Sequence, residues 1–160
     1  EAGRPSPRTG VEWSNHWTPG DHVLMDANFA WTRPRYSDSD PAGNRITNAV
    51  QKVANLTFAL RNLGPWSGSL GVRYIGAAPL TEDNSVRSSA SVTANLRVNR
   101  KISNDLDVAL DVLNLTDRKN NDIAYYYTSR VVGEPLGGVD GLHVHPAEPR
   151  TVRVTARMRF

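Results

Sequence analysis

The last ten residues of the chain alternate between polar and apolar side chains from Thr151 to Phe160. Successive side chains of a β-strand point to opposite faces, so this spacing gives one wholly apolar face and one face that carries three arginines. A helix, with its 3.6-residue period, would mix the two sets. Ten residues also match the length of a tilted strand that crosses a bilayer. The pattern therefore predicts a strand with one face in an apolar environment and the other in water.

Six earlier segments of the chain show the same two-residue alternation. They cover residues 11–17, 22–33, 54–61, 66–75, 91–100 and 106–115. The first segment is the least regular, because Asn15 falls on its apolar face. Together with the last ten residues, these segments predict an all-β fold of about seven antiparallel strands.

The connections between the predicted strands alternate in length. The short turns are residues 18–21, 62–65 and 99–105, and the longer polar loops are residues 36–48, 76–87 and 117–148. Short turns at one end and long loops at the other are typical of transmembrane β-barrels of the outer membrane. If the final strand runs down to the periplasm, every short turn is periplasmic and every long loop is extracellular. Bacterial single-chain barrels have even strand numbers, so an odd count predicts a part of a larger barrel.

The composition is compatible with such a barrel and argues against several other classes of protein. The hydrophobic fraction is 39%, and no apolar run approaches the roughly 18 residues of a transmembrane helix, but a barrel strand needs apolar residues only at every second position. The 19 lysines and arginines give a formal charge of +3, yet they are spread along the strands, so we expect no nucleic-acid partner. Cysteine is absent, which excludes disulfides and thiolate sites.

The alternation alone does not decide which way the apolar face points. In a small self-contained barrel it would point inward and bind an apolar ligand, and this is the alternative to a membrane barrel. The loop asymmetry and the terminal phenylalanine favour the membrane barrel. Aromatic residues near strand ends fit interfacial girdles, although they also fit the core of a soluble sandwich. These residues are Trp13, Trp17, Trp31, Trp66 and Tyr74.

Charged residues on the polar face predict ion pairs between neighbouring strands. Asp107 and Asp111 are placed to meet the arginines of the last strand. The alternative is a water-facing wall in which each charge is simply solvated.

Five residues of the last long loop are candidates for ligand contact: Tyr125, Tyr126, Tyr127, His143 and His145. Aromatic faces at a loop mouth suit sugars, siderophores or cobalamin-like ligands, whereas the alternative is that alternate tyrosines pack on an extension of the strands. The two histidines lie two residues apart, but a third ligand is missing, so we expect no metal site and no cofactor. No Ser-His-Asp order, nucleophile elbow or phosphate loop occurs, so we expect no catalytic residues and no enzyme.

From about residue 106 onward the chain resembles the C-terminus of TonB-dependent receptors. The matching residues are Asn114, Leu115 and Asp117, within that family's Asn-Leu-aromatic-Asp run, where this chain has Thr116 in place of the aromatic residue. A long loop and a final strand that ends in Arg-Phe complete the resemblance. Phe160 is similar to the signal that many outer-membrane barrels present to their assembly machinery.

The resemblance implies a barrel of about 22 strands in the bacterial outer membrane, with an N-terminal plug inside it. Residues 1–160 would then be the C-terminal portion of that barrel, and we expect the plug and the earlier strands to lie outside this sequence. The implied function is TonB-energised uptake of a scarce solute of the siderophore, vitamin, haem or oligosaccharide class. The implied partners are outer-membrane lipid, the plug, TonB through the missing N-terminal region, and the barrel-assembly machinery.

Overall fold

The computed structural model describes residues 3–160, which form nine β-strands and no helix. The strands are β1 (Arg8–Trp17), β2 (Val23–Pro34), β3 (Lys52–Leu63), β4 (Trp66–Ile75), β5 (Ser91–Lys101), β6 (Leu106–Leu113), β7 (Asn121–Ser129), β8 (Val139–Pro146) and β9 (Thr151–Met158). In this part of the chain, no helix has the length and apolarity needed to cross a membrane.

Seven strands form one antiparallel sheet in the order β1-β2-β3-β4-β5-β6-β9, and β7 pairs with β8 in a separate two-stranded ribbon. The prediction of an all-β antiparallel fold is confirmed, but the described residues form nine strands where about seven were predicted, and seven of the nine lie in the main sheet. The two end strands, β1 and β9, do not pair with each other within residues 3–160, so the sheet remains open. An open sheet argues against a small self-contained barrel.

The register of the sheet keeps the apolar face continuous from one edge to the other. A single row of paired residues crosses all seven strands: Trp17, Met25, Phe58, Leu70, Leu96, Val112 and Val152. A register slip of one residue at any pair would transfer that strand's apolar side chains to the polar face. The rows on the opposite face are polar, as where Arg97 pairs with both Ser69 and Asp111.

Within residues 3–160, no protein layer packs against the apolar face of the sheet. Trp13 is 52% exposed and Val154 is 69% exposed, although both side chains lie on that face. Few apolar side chains are buried: residues 78–80 of the connection between β4 and β5, and the small side chains of Ala94 on β5 and Ala109 on β6. A broad exposed apolar face is typical of a surface that contacts a membrane or another protein.

Four of the five aromatic residues predicted to form interfacial girdles lie near strand ends. Trp17 and Trp66 lie at the short-turn end of the sheet, and Trp31 and Tyr74 lie near the long-loop end. Trp13 lies in the middle of β1, where it pairs with Phe29, so it does not belong to a girdle.

The long loop predicted over residues 117–148 is wrong in its interior, because it contains β7 and β8. Two predicted strands also end early, β6 at Leu113 and β9 at Met158. β6 ends where Asn114 adopts a left-handed backbone conformation with φ of 48°, which lies outside the β region.

Candidate functional site at the long-loop end

The ribbon of β7 and β8 is fixed to the sheet by the Asn114–Asp117 turn. Both end residues have positive φ, 48° at Asn114 and 52° at Asp117, and asparagine and aspartate tolerate this conformation better than most residues. Asn114 is buried, and its side-chain Nδ2 donates to the carbonyls of Arg118 at 3.0 Å and Glu148 at 3.2 Å. The carboxylate of Asp117 accepts from the backbone N–H of Arg150. The turn therefore holds both strands of the ribbon where they leave the sheet.

Asn120 fixes the base of the ribbon against the upper end of β5. Its side-chain Oδ1 accepts from the backbone N–H of Val92 at 3.4 Å, and its Nδ2 donates to the carbonyl of the same residue at 2.8 Å. β5 pairs with β6 only from Leu96 to Lys101, so residues 91–95 have no partner strand on that side. The Asn120 amide supplies the hydrogen bonds that a partner strand would give to Val92. The backbone N–H of Leu115 adds a bond to the carbonyl of Ala94 at 2.7 Å.

The ribbon places four of the five predicted contact residues on one face. Tyr125 pairs with His143, and the rings of Tyr127 and His143 stack with centroids 3.9 Å apart and planes 15° apart. His145 shares this face by the two-residue alternation of β8, so we name these four residues the aromatic face of the ribbon. Tyr126 pairs with Leu142 on the opposite face, so the structure separates it from the other four. Ligand contact at these residues stays a prediction.

A cleft of about 250 Å³ lies between the base of the ribbon and the main sheet. Ile75 and Ser91 line it from β4 and β5, and Ile123 and Tyr125 line it from β7. Ile75 and Ser91 are cross-strand partners whose side chains lie on the polar face of the main sheet. The aromatic face of the ribbon therefore starts on the polar side of the sheet. The sequence did not predict this cleft, because the cleft forms only where the ribbon packs against the upper ends of β4 and β5.

Two loops and the N-terminal segment meet around the guanidinium of Arg4. Arg4 Nη2 contacts an Asp38 carboxylate oxygen at 2.6 Å, and Arg4 Nη1 contacts Glu82 at 2.5 Å. The guanidinium also lies 3.9 Å above the ring of Tyr36. The hydrogen bond from Arg4 lowers the pKa of Asp38 below its usual value. We name these residues the loop clamp; the sequence did not reveal it, since the partners of Arg4 lie 34 and 78 residues away.

Ion pairs on the polar face follow the strand register only in part. Asp107 contacts Arg159 at 2.9 Å, which confirms a pair with the C-terminal arginines. Asp111 instead contacts Arg97 of β5 at 3.5 Å. Arg153 is the register neighbour of Asp111 on β9, but its guanidinium makes no ion pair within residues 3–160.

Within residues 3–160, no group of three histidine, aspartate or glutamate side chains is arranged to hold a metal ion. The Nε2 atom of His143 is buried and has no hydrogen-bond partner in the described residues.

These observations define an open antiparallel sheet with one apolar and one polar face and with structured loops at one end. The chain belongs to the TonB-dependent receptor-like β-barrel family, whose family model matches residues 7–115. Barrels of this family are outer-membrane proteins that serve as transport receptors and not as enzymes. No curated protein matches the chain.

Solved structures show the same fold over nearly the whole chain. The ferric yersiniabactin uptake receptor FyuA from Yersinia pestis has a TM-score of 0.79 and 21% identity, and the match covers 97% of this chain and 24% of that one. The closed form of the ferric-catecholate import receptor Fiu from E. coli K12 has a TM-score of 0.76 and 20% identity, with 97% and 21% covered. The siderophore receptor PiuA from Acinetobacter baumannii has a TM-score of 0.72 and 15% identity, with 94% and 21% covered.

The chain therefore spans between a fifth and a quarter of the length of these receptors. At such identities the similarity concerns the fold. The family and the strand arrangement agree with the resemblance that Asn114, Leu115 and Asp117 suggested.

Proposed function

We propose that the chain is the C-terminal wall segment of an outer-membrane receptor for TonB-energised uptake of an iron–siderophore complex. The observation that supports this proposal most directly is the unbroken apolar row across seven strands, with short turns at one end and structured loops at the other. Such a wall needs lipid on one side and tolerates water on the other. The plug and the earlier strands would belong to the rest of the receptor.

The proposed orientation follows from the same features. The apolar face contacts outer-membrane lipid, the polar face lines the lumen, and the loops that carry the clamp and the ribbon face the outside of the cell. The plug would contact the lumenal charges, and TonB would act through an N-terminal region outside residues 1–160. The exposed terminal Phe160 would be read by the barrel-assembly machinery.

A siderophore-class solute is favoured over a vitamin, haem or oligosaccharide by the solved relatives. Three of them are described as receptors for ferric yersiniabactin, for ferric catecholates and for a siderophore. In this chain, the aromatic face of the ribbon offers Tyr125 and the stacked pair of Tyr127 and His143 to a solute entering from outside. Flat aromatic rings and a few polar groups suit a siderophore with aromatic or heterocyclic arms.

Transport by the full-length receptor tests the proposal. Cells with this receptor as their only siderophore route should accumulate ⁵⁵Fe from a suitable ferric siderophore, and loss of TonB should abolish accumulation. Tyr127→Ala should weaken solute binding about tenfold, because it removes the stacked ring that His143 supports. Tyr126→Ala is the matched control, since Tyr126 lies on the other face of the same strand.

Two outcomes would contradict the proposal. Accumulation that is unchanged without TonB would reject energised uptake. Equal effects of Tyr126→Ala and Tyr127→Ala on binding would reject the aromatic face as the contact surface, while leaving the transport function in place.

A further inference from the structure

Asn120 joins both strands of the ribbon to β5 at a single residue. Its backbone carbonyl accepts from the N–H of Ala147 at 3.0 Å, which closes the base of the ribbon beside the end of β8. Its side-chain amide bonds both backbone groups of Val92, and Nδ2 also lies 3.4 Å from the hydroxyl of Thr93. Asn120 is buried, so loss of its amide would leave the Val92 backbone without these partners.

Beyond Asn120, the ribbon has no further polar attachment to the main sheet. Within residues 3–160, residues 121–146 make hydrogen bonds only with one another and take part in no ion pair. The Asn114–Asp117 turn acts before the ribbon begins, because its side-chain bonds reach neither β7 nor β8. The angle at which the ribbon leaves the sheet therefore depends on Asn120.

The aromatic face of the ribbon starts five residues after this contact. Tyr125 lines the cleft of about 250 Å³ at the base of the ribbon, together with Ile75 of β4. Tyr127 follows two residues later and stacks on His143. Since a strand rises about 3.3 Å per residue, the two tyrosines lie roughly 16 and 23 Å along the strand from Asn120, and a rotation of about 10° at the base would move them by roughly 3 and 4 Å.

We propose that Asn120 is a positioning residue of the solute site: its amide fixes the ribbon to β5 and thereby sets where the aromatic face meets the solute. Asparagine suits this role because one amide both accepts from and donates to the same backbone residue. Rings that are held in place before binding lose less freedom when the solute arrives, so the complex is tighter. The inference rests on the proposed function, since it takes the aromatic face as the contact surface.

The position of the ribbon is measured without solute, in the full-length receptor in detergent. Spin labels introduced as Leu136→Cys at the ribbon tip and Leu70→Cys on β4 report one distance by double electron–electron resonance. N120A should broaden or shift this distance. N99A is the matched control, because the Asn99 amide lies on the same strand β5 but donates to Ser67, away from the ribbon. A distance that N120A leaves unchanged would overturn the inference.

A second variant guards against a fold defect in N120A. N120D keeps the shape of the side chain and its acceptor but loses the donor to the Val92 carbonyl, so it should change the distance in the same way. Heat-modifiable gel mobility verifies that each barrel is folded.

Solute binding is measured with ⁵⁵Fe-labelled ferric yersiniabactin and a ferric catecholate, the solutes named for two of the solved relatives. N120A should weaken the binding of whichever solute the native receptor takes by about tenfold, and uptake at saturating solute should stay within about twofold, because the site is displaced while transport is intact. N99A should bind as the native receptor does. An unchanged affinity in N120A would overturn the inference.

A double-mutant cycle with Tyr127→Ala tests whether Asn120 acts through the aromatic face. N120A/Y127A should bind about as weakly as either single variant, because the ring that Asn120 positions is already gone. Losses that multiply to about a hundredfold would show independent effects and overturn the inference. Absence of binding by the native receptor would contradict the proposed function, whereas the spin-label distance, which needs no solute, decides whether Asn120 positions the ribbon.

Discussion

At the scale of single residues, Asn114 shows why an asparagine is needed at this turn. Its backbone takes a left-handed conformation, while its side chain bonds Arg118 through both its oxygen and its nitrogen. The same nitrogen donates to the carbonyl of Glu148, in the connection between β8 and β9. A residue with only one of these properties would either strain the turn or leave buried polar groups without partners.

Substitution of Asn114 should separate the contribution of its left-handed backbone from that of its side-chain hydrogen bonds. Asn114→Gly keeps the left-handed conformation available and loses the side-chain bonds, so we expect a loss of about 1–3 kcal/mol in unfolding free energy. Asn114→Ala adds backbone strain of about 1 kcal/mol or more. Urea unfolding of the folded receptor in detergent measures both. Asn28→Ala is the control, because Asn28 is exposed on the polar face; an equal loss there would contradict this account.

The loop clamp gives a residue-scale expectation for pH. The pKa of Asp38 is lowered, chiefly by its hydrogen bond from Arg4. A carboxyl whose pKa falls on folding stabilises the folded contact above its unfolded value, near 3.9, and loses this effect as the pH falls through the lower folded value. The clamp should therefore persist from neutral pH down to about pH 4 and open only below it.

A spin label at position 39, introduced as Ser39→Cys in the full-length receptor, would report clamp opening through increased mobility. In the native clamp, mobility should stay constant down to about pH 4. Arg4→Gln should raise it already at pH 7, because Asp38 and Glu82 then lose their shared partner. A label that becomes mobile between pH 6 and pH 5 in the native receptor would show that another group controls these loops.

At the scale of strands, the two faces of β3 differ in what they tolerate. Phe58 lies between Met25 and Leu70 on the apolar face, whereas its neighbour Thr57 lies between Asp26 and Gly71 on the polar face. An arginine on the lipid face near the middle of a barrel wall costs about 2–4 kcal/mol. On the polar face, an arginine meets water and an aspartate.

Phe58→Arg should therefore destabilise the folded receptor by about 2–4 kcal/mol, and Thr57→Arg should change its stability by less than about 1 kcal/mol. Denaturant unfolding in lipid vesicles measures both variants under one condition. If Thr57→Arg is the more harmful substitution, the apolar face does not contact lipid.

Strand-level patterns predicted the main sheet because apolar and polar side chains alternate along its strands. The ribbon was missed because Tyr125, Tyr126 and Tyr127 follow each other in β7 without such an alternation. The end of β6 was placed two residues too late, although the apolar alternation from Leu106 to Val112 already breaks at Leu113 and Asn114. The left-handed backbone of Asn114 ends the strand there.

The candidate site was predictable as a set of residue types but not as an arrangement. Aromatic and histidine residues in a loop suggested ligand contact, yet only strand pairing shows that Tyr126 faces away from the rest. The loop clamp depends on contacts between the N-terminal segment and two separate loops. Its partners are distant in sequence, so no local pattern identifies it.

At the scale of the whole chain, Phe160 packs against no other part of residues 3–160. Phe160 follows the end of β9 and is fully exposed, so its removal should not alter the stability of a folded barrel. Phe160→Ala should instead lower the amount of receptor that reaches the folded state in cells, if the residue is an assembly signal. Met158→Ala, at an exposed position of the same segment, is the control. Equal yields of the two variants would contradict the signal.

The open sheet leads to an expectation for the isolated 160-residue chain. β1 and β9 each have one strand edge without a partner among the described residues, and the apolar face exposes residues such as Leu70 and Val154. Unpaired edges and broad apolar surfaces promote association in water. Expressed alone, the chain should aggregate in plain buffer and require detergent to stay dispersed.

Size-exclusion chromatography with light scattering, in buffer with and without detergent, measures this directly. Phe58→Thr together with Leu70→Thr should reduce aggregation in buffer, because both substitutions remove apolar surface from the same row of the sheet. Thr57→Ser is the control on the opposite face. A monodisperse monomer of the native chain in plain buffer would mean that its apolar face is covered by protein, and the lipid-facing orientation would then be wrong. Aggregation relieved by detergent instead supports a wall that needs lipid on one face and further strands at both edges.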